Sequence, residues 1–241
     1  AGPAQDFQRG QVAVWVDSFT DAFEGTQLAG LLQTLTAAGF QPSVISQDAC
    51  CGLTWITTGQ HAGARRQLRH ALDVLYPLAS AGVPIVGMEP SCLAVWRSDA
   101  AELLPDDHRV PVVAAGVHTL AELLTDIPGW TPPDLSGHTL IVQPHCHHAS
   151  VLGWAADARL LRASGAHVIT LGGCCGLAGN FGVERGHYEV SVKVAENQLL
   201  PALDAHPDAI VLADGFSCRK QVADLRGRQA VSLGELLASH L

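Results

Sequence analysis

The sequence predicts an α/β protein made of two pseudo-repeated Rossmann-like lobes, each a small parallel sheet flanked by helices. Continuous apolar strands alternate with amphipathic helices, the pattern of a parallel sheet covered on both faces. The word Cys-Cys-Gly-Leu occurs twice, at residues 50–53 and 174–177, and each copy is followed by a Ser-Cys step, Ser91-Cys92 and Ser217-Cys218. The period, about 125 residues, is too long for a solenoid repeat and marks a duplicated domain.

In the first half, residues 12–18 read as a buried strand ending in a polar loop. Residues 27–38 place Leu28, Leu31, Leu32 and Leu35 at helical spacing, and Gly39 closes that helix. A short strand at 42–46 runs toward Cys50. Residues 62–81 form a long amphipathic helix, with Leu68, Leu72, Leu75 and Leu78 on one stripe and Arg65, Arg66 and Arg69 solvated. A strand at 84–87 ends at Ser91-Cys92, and a helix follows to about residue 104. The second half repeats the series: strand 140–146, helix 151–164, strand 167–171, helix 190–205, strand 209–213, and a helix opened by Cys218. These signals predict a tail or excision scar over residues 1–10 and a first lobe over 11–134. A linker falls at 105–136, where Asp106-Asp107 and the prolines from Pro128 to Pro133 break the pattern. The second lobe covers 137–241. Residues 119–125 inside the linker read as a helix.

With 241 residues and 48% apolar composition, the chain can bury two domain-sized cores. A net charge of −9 and the lack of any basic stripe exclude nucleic acid as a partner. No apolar run reaches the roughly 18–20 residues of a membrane span, and no signal-peptide pattern opens the chain. The expected location is the cytoplasm, at most peripheral to the inner membrane through a partner. Seven cysteines, an odd number with two vicinal pairs, do not read as a disulfide framework. The only methionine is Met88 and the chain opens Ala1-Gly2-Pro3, so it is expected to be a piece of a longer polypeptide or an excised one.

Vicinal cysteines make a poor disulfide, because their Cα atoms lie only about 3.8 Å apart. Side by side on a glycine turn, two thiolates make good soft metal ligands. Cys146, Cys174-Cys175 and Cys218 each follow a different predicted strand, at the edge where open α/β sheets place their ligands. Four thiolates from three loops suffice for a tetrahedral ion or one iron–sulfur cluster. In the first half Ser18 stands where Cys146 stands in the second, leaving Cys50, Cys51 and Cys92 as a weaker second site.

These residues carry a resemblance. Cys146, then Cys174-Cys175-Gly176, then Cys218, with a weaker upstream copy, resemble the duplicated cysteine-rich "CCG" domain. That domain occurs in the catalytic subunit of heterodisulfide reductase, glycolate oxidase iron–sulfur subunits and lactate-utilisation proteins. The segments Gln143-Pro144-His145-Cys146-His147-His148, Gly172 to Gly182 and Asp214-Gly215-Phe216-Ser217-Cys218-Arg219 are more closely similar to the C-terminal part of large fused flavoproteins. Those proteins join an FAD-linked oxidase domain, a ferredoxin-type segment and a CCG module. The resemblance implies a role in oxidising a small D-2-hydroxy acid of the lactate, glycolate or 2-hydroxyglutarate type. FAD would sit on an absent portion or partner, and the chain would not be active alone. The implied metal centre is a 4Fe-4S-type cluster or a single zinc or iron ion. The fullest family pattern ends in Cys-x-x-Cys, whereas the second positions here are Val95 and Gln221. A five-thiolate cluster is therefore not expected.

Around the thiols, His145, His147 and His148 are candidates to ligate, to orient substrate or to accept a proton near neutral pH. His147 and His148 join Arg185 as catalytic candidates, Arg185 as a fork for a substrate carboxylate. Gly176, Gly179 and Asn180 are candidates for cofactor contact in a glycine-rich loop that lacks both P-loop and dinucleotide spacing. Trp55 and Trp96 read as packing or interface residues rather than chemistry. The rival reading is a non-catalytic, zinc-stabilised scaffold that docks flavoprotein and ferredoxin parts. Thiol–disulfide exchange is a third reading, disfavoured by the missing Cys-x-x-Cys.

Overall fold

The computed structural model describes residues 9–23 and 25–241. The tail expected at 1–10 thus lies, for residues 1–8, outside the described residues. The first lobe runs β1 (Gln11–Trp15), α1 (Ser18–Phe23), α2 (Gly25–Ala37), β2 (Gln41–Val44), α3 (Leu53–Thr57), α4 (His61–Ser80) and β3 (Ile85–Gly87). It continues through α5 (Pro90–Arg97), α6 (Asp99–Leu103), α7 (Arg109–Gly116), β4 (Val117–His118) and α8 (Leu120–Thr125). The second lobe opens with β5 (Thr139–Val142), a single π-helical turn at His148–Leu152, α9 (Ala155–Ala163) and β6 (His167–Thr170). A short 3-10 turn at Phe181–Val183 leads to α10 (Tyr188–Ala195), α11 (Leu199–Ala205), β7 (Ile210–Leu212), α12 (Phe216–Arg226), β8 (Ala230–Val231) and α13 (Leu233–Ala238).

Both sheets are parallel and share one strand order, β2-β1-β3-β4 in the first and β6-β5-β7-β8 in the second. The register repeats as well: Ala13 pairs with Ile85, and Leu140 pairs with Ile210. The duplication read from the cysteine words is thus a duplication of topology. The central strands β1 and β5 are buried at consecutive positions, hence on both faces of their sheets. That explains the continuous apolar runs.

The structure corrects several boundaries. The helix expected to reach residue 104 breaks at Ser98, whose φ of −134° and ψ of −77° part α5 from α6. The helix expected at 151–164 is a π-helical turn and α9, separated by Gly153 with φ of 90°. The helix expected at 190–205 is split into α10 and α11 around residues 196–198. The stretch read as a linker holds α7, β4 and α8, and β4 pairs with β3 as the fourth strand of the first sheet. Its Glu122 ties the element down. Arg97 donates two bonds of 2.7 Å to the Glu122 carboxylate, which also accepts Thr119 N–H at 2.9 Å in a reciprocal helix cap. Burial pushes the Glu122 carboxyl up, but the Arg97 fork and the Thr119 amide outweigh it and hold it below its usual 4.5. A carboxyl with a depressed folded-state value stabilises above the unfolded value and loses that contribution as pH falls through the folded one. We expect Glu122→Gln to cost about 1–3 kcal/mol in urea unfolding at pH 7. The gap to wild type should close below pH 4.5; a gap unchanged there would refute the assignment.

The lobes share a core. One buried cluster runs from Val12, Val14, Leu31 and Leu35 of the first lobe to Leu140, Leu160, Leu233 and Leu237 of the second. There α13 lies against α2 so closely that a Cβ on Gly30 would sit 2.8 Å from the Glu235 Cα. Thr34 donates to the Gly234 carbonyl across the same seam at 3.0 Å. Trp96, 1% exposed, stacks edge-on against Trp15 inside the first lobe, and Trp55 packs on Gly63, as packing residues do.

Candidate metal centre

The carboxyl ends of β5, β6 and β7 carry the second-lobe cysteines to one rim. Cys146 follows β5, Cys174 and Cys175 follow β6, and Cys218 lies in the first turn of α12 after β7. The Cys146 and Cys174 sulfurs are 3.7 Å apart, and Cys175 contacts Cys174 on one side and Cys218 on the other. The four sulfurs thus form a linked row that begins at exposed Cys146 and ends at buried Cys218. Among the described residues, no three of these sulfurs lie within 4.8 Å of one another, so they do not close into a compact tetrahedron. Cys174 is the acceptor of the row. Thiol contacts from Cys146 and Cys175, with the Gly176 N–H at 3.3 Å, pull its proton affinity down, while Cys146 and Cys175 are pushed up by donating to it.

Side chains behind the rim fix the Cys-Cys loop. The Gln198 Oε1 accepts the Gly172 and Gly173 amides at 2.7 and 3.1 Å, and buried Gln143 donates to the Gly173 carbonyl at 2.8 Å. Gly176 has φ of 95°, and a Cβ there would lie 2.1 Å from the Ser191 carbonyl oxygen. Gln221, the residue in the missing fifth-cysteine position, donates to the Ser191 hydroxyl at 2.9 Å and is 3% exposed. It braces the loop from behind.

The first lobe presents its own set at the matching edge. Cys51 and Cys92 are buried with sulfurs 3.1 Å apart, and Cys50 contacts Cys51 and Ser18. Between the sets stand two buried carboxyls that the sequence reading missed, Asp17 and Glu89. Glu89 caps α5 by accepting from the Ser91 amide and hydroxyl, and its Oε2 crosses the seam to accept the Phe216 N–H at 2.8 Å. Its Oε1 lies 4.0 Å from His145 Nε2. Burial raises both carboxyls, and each is partly offset by the amides and hydroxyls that donate to it. Pro90, of the type favoured at the first position of a helix, was the available clue that Glu89 caps one.

The remaining candidates divide. His145, packed against Gly215, is held neutral because burial lowers it to about 4, helped by His147 and His148. His147 lies beside His145, ring centroids 5.4 Å apart. His148 turns away from the thiols to bind Asp157 at 3.0 Å and to stack on Trp154. Arg185 is exposed and forms no ion pair among the described residues, so its fork faces solvent. Gly176 and Gly179 take positive φ, as does Ala178 between them, while Asn180 is exposed and hydrogen bonds Glu184. No described helix is long and apolar enough to cross a membrane.

A duplicated parallel α/β lobe with thiols at the strand ends defines a cysteine-rich module. Residues 155–223, within the second lobe, match the CCG family, a cysteine-rich domain. The chain is 28% identical over 221 residues, 90% of its length, to the D-2-hydroxyglutarate dehydrogenase of Escherichia coli K12. It is 29% identical over 220 residues to the enzyme of that name from Pseudomonas putida. It is 25% identical over 206 residues to one of the subunits of the anaerobic glycerol-3-phosphate dehydrogenase of Escherichia coli K12. The chain spans 21% of the length of the two hydroxyglutarate enzymes and 49% of the third protein.

Proposed function

We propose that this chain is the metal- or iron–sulfur-binding module of a flavin-dependent 2-hydroxy-acid dehydrogenase, acting in electron transfer or substrate activation. Cys146, Cys174, Cys175 and Cys218 hold the centre. The observation that carries this reading is the linked row of four sulfurs from three strand ends, built on a braced glycine turn. Soft thiolates of this kind favour an iron–sulfur cluster or a zinc or iron ion. A row too open for one compact tetrahedron favours a 4Fe-4S-type cluster over a single ion. Such a group supplies one-electron transfer when bound. The chain's own residues do the rest. Gly176 and Gly179 allow the loop to approach a cofactor, with Asn180 beside them. In this reading His147 would take a proton, and Arg185, exposed to solvent, would take a substrate carboxylate. His148, committed to Asp157, is the weakest of the catalytic candidates. Cys50, Cys51 and Cys92 form a degenerate site, with Ser18 in place of the leading thiol.

The division into lobes at 11–134 and 137–241 belongs to the same proposal. So do an FAD-linked oxidase domain or subunit and a ferredoxin-type segment as partners, and a cytoplasmic location. That the chain spans only 21% and 49% of its relatives' lengths supports further domains or subunits as partners. The test is elemental and sulfide analysis of anaerobically purified protein. Iron with matching acid-labile sulfide and a brown colour bleached by dithionite is the expected result. A colourless protein with stoichiometric zinc would replace it with the scaffold reading.

A further inference from the structure

A cavity of about 30 Å³ lies between the lobes, walled by Leu31, Leu93 and Leu120 of the first lobe and by His148, Asp157 and Asp214 of the second. One ligand atom from each of those three polar residues lies within 4.8 Å of the other two. His148 and Asp157 are 2% and 1% exposed, so water does not screen them. The three come from separate elements: His148 opens the π-helical turn, Asp157 sits in the first turn of α9, and Asp214 follows β7. Asp214 is aimed by the Leu233 N–H, which donates to its Oδ1 at 2.8 Å. Its carbonyl accepts from Arg219, whose charge also reaches the carboxylate.

Two features mark this as more than an ion pair. The buried His148 ring forms part of the cavity wall, with its Nε2 turned to the Asp157 carboxylate. The pocket also brings the buried Asp157 and the half-buried Asp214 carboxyls to one imidazole, and like charges held this close need a counter-ion or a proton. The spacing suits an ion. Neighbouring ligands at right angles around a cation with bonds of about 2.1 Å sit about 3.0 Å apart, the separation of His148 Nε2 from Asp157 Oδ2. The volume accommodates one such cation or one water.

We propose that His148, Asp157 and Asp214 bind one divalent first-row metal cation of nitrogen–oxygen preference, at a site separate from the thiol row. Its loading would pin the loop after Cys146 to α9 and to the end of β7, from inside the lobe interface. Manganese is the discriminating probe, because carboxylates suit it while thiolates select iron, zinc or copper.

The experiment titrates MnCl2 into the purified 241-residue chain and reads free Mn²⁺ by electron paramagnetic resonance. One bound equivalent is expected. Asp157→Asn and Asp214→Asn, which keep side-chain shape, should each weaken binding at least about tenfold, and Cys174→Ser should leave it unchanged. Manganese should raise the Tm of wild type but not of Asp214→Asn. No bound manganese in wild type would mean the cavity holds water only, and would overturn the proposal whatever the variants do. Binding lost in Cys174→Ser but kept in Asp157→Asn would overturn it equally, by assigning the ion to the thiols.

Discussion

Cys175→Ala should release most of the metal bound by this protein, whereas Cys51→Ala should leave its metal content nearly unchanged. The two positions are equivalent in the duplicated sequence, and both side chains are buried. What differs is their company. Cys175 is the middle of a row in which every neighbour is a thiol, from Cys146 at the surface to Cys218 in α12. Its loss cuts Cys218 from Cys174 and leaves no set of four. Cys51 has only Cys50 and Cys92 beside it, and Ser18 stands where a fourth sulfur would be needed. Metal analysis of both variants purified in parallel decides the matter. Equal losses would show two occupied sites, and full retention in Cys175→Ala would remove the second-lobe row as the centre.

That contrast was legible in the chain because cysteine chemistry is local to a short word. Gly52 and Gly176 both take positive φ after their cysteine pairs, so the turn is written in the motif itself. The strands were legible for a related reason: strands of a covered parallel sheet read as short continuous apolar runs. What could not be read depends on contacts distant in sequence. The apolar spacing of residues 190–205 continues through Asn197 and Gln198 as though one helix ran there. The break itself has a local cause, Pro201, which has no N–H for the Asn197 carbonyl. What is distant is the use made of it, since Gln198 accepts the Gly172 and Gly173 amides, 26 and 25 residues away. Glu89 is a similar case. Its capping of α5 is local, but its role across the seam requires Phe216, 127 residues distant. Strand β4 has two residues, too few for a period-2 pattern to register, and is fixed by pairing with β3. The trio of His148, Asp157 and Asp214 is likewise invisible until the fold places the end of β7 beside α9.

Gly176→Ala is expected to be the most disruptive single-methyl change in the second lobe, and Gly179→Ala is its control. Both glycines have left-handed backbone, φ of 95° and 70°, so both substitutions incur the steric cost of a Cβ at positive φ, roughly 1–2 kcal/mol. At Gly179 nothing lies within 4 Å of the new methyl. At Gly176 the methyl would meet the Ser191 carbonyl oxygen at 2.1 Å. Ser191 has little room to retreat. It is 1% exposed, its hydroxyl accepts from Gln221 on α12, and Gly182 already crowds its other side. Relief must come from the turn, which moves Cys175 away from Cys218. Gly176→Ala should therefore cost about 3 kcal/mol or more in urea unfolding and lose metal much as Cys175→Ala does. Gly179→Ala should unfold only slightly earlier and keep its metal. Similar stability and metal content in the two variants would show that the tight approach of the loop to α10 does not set the geometry of the thiol row.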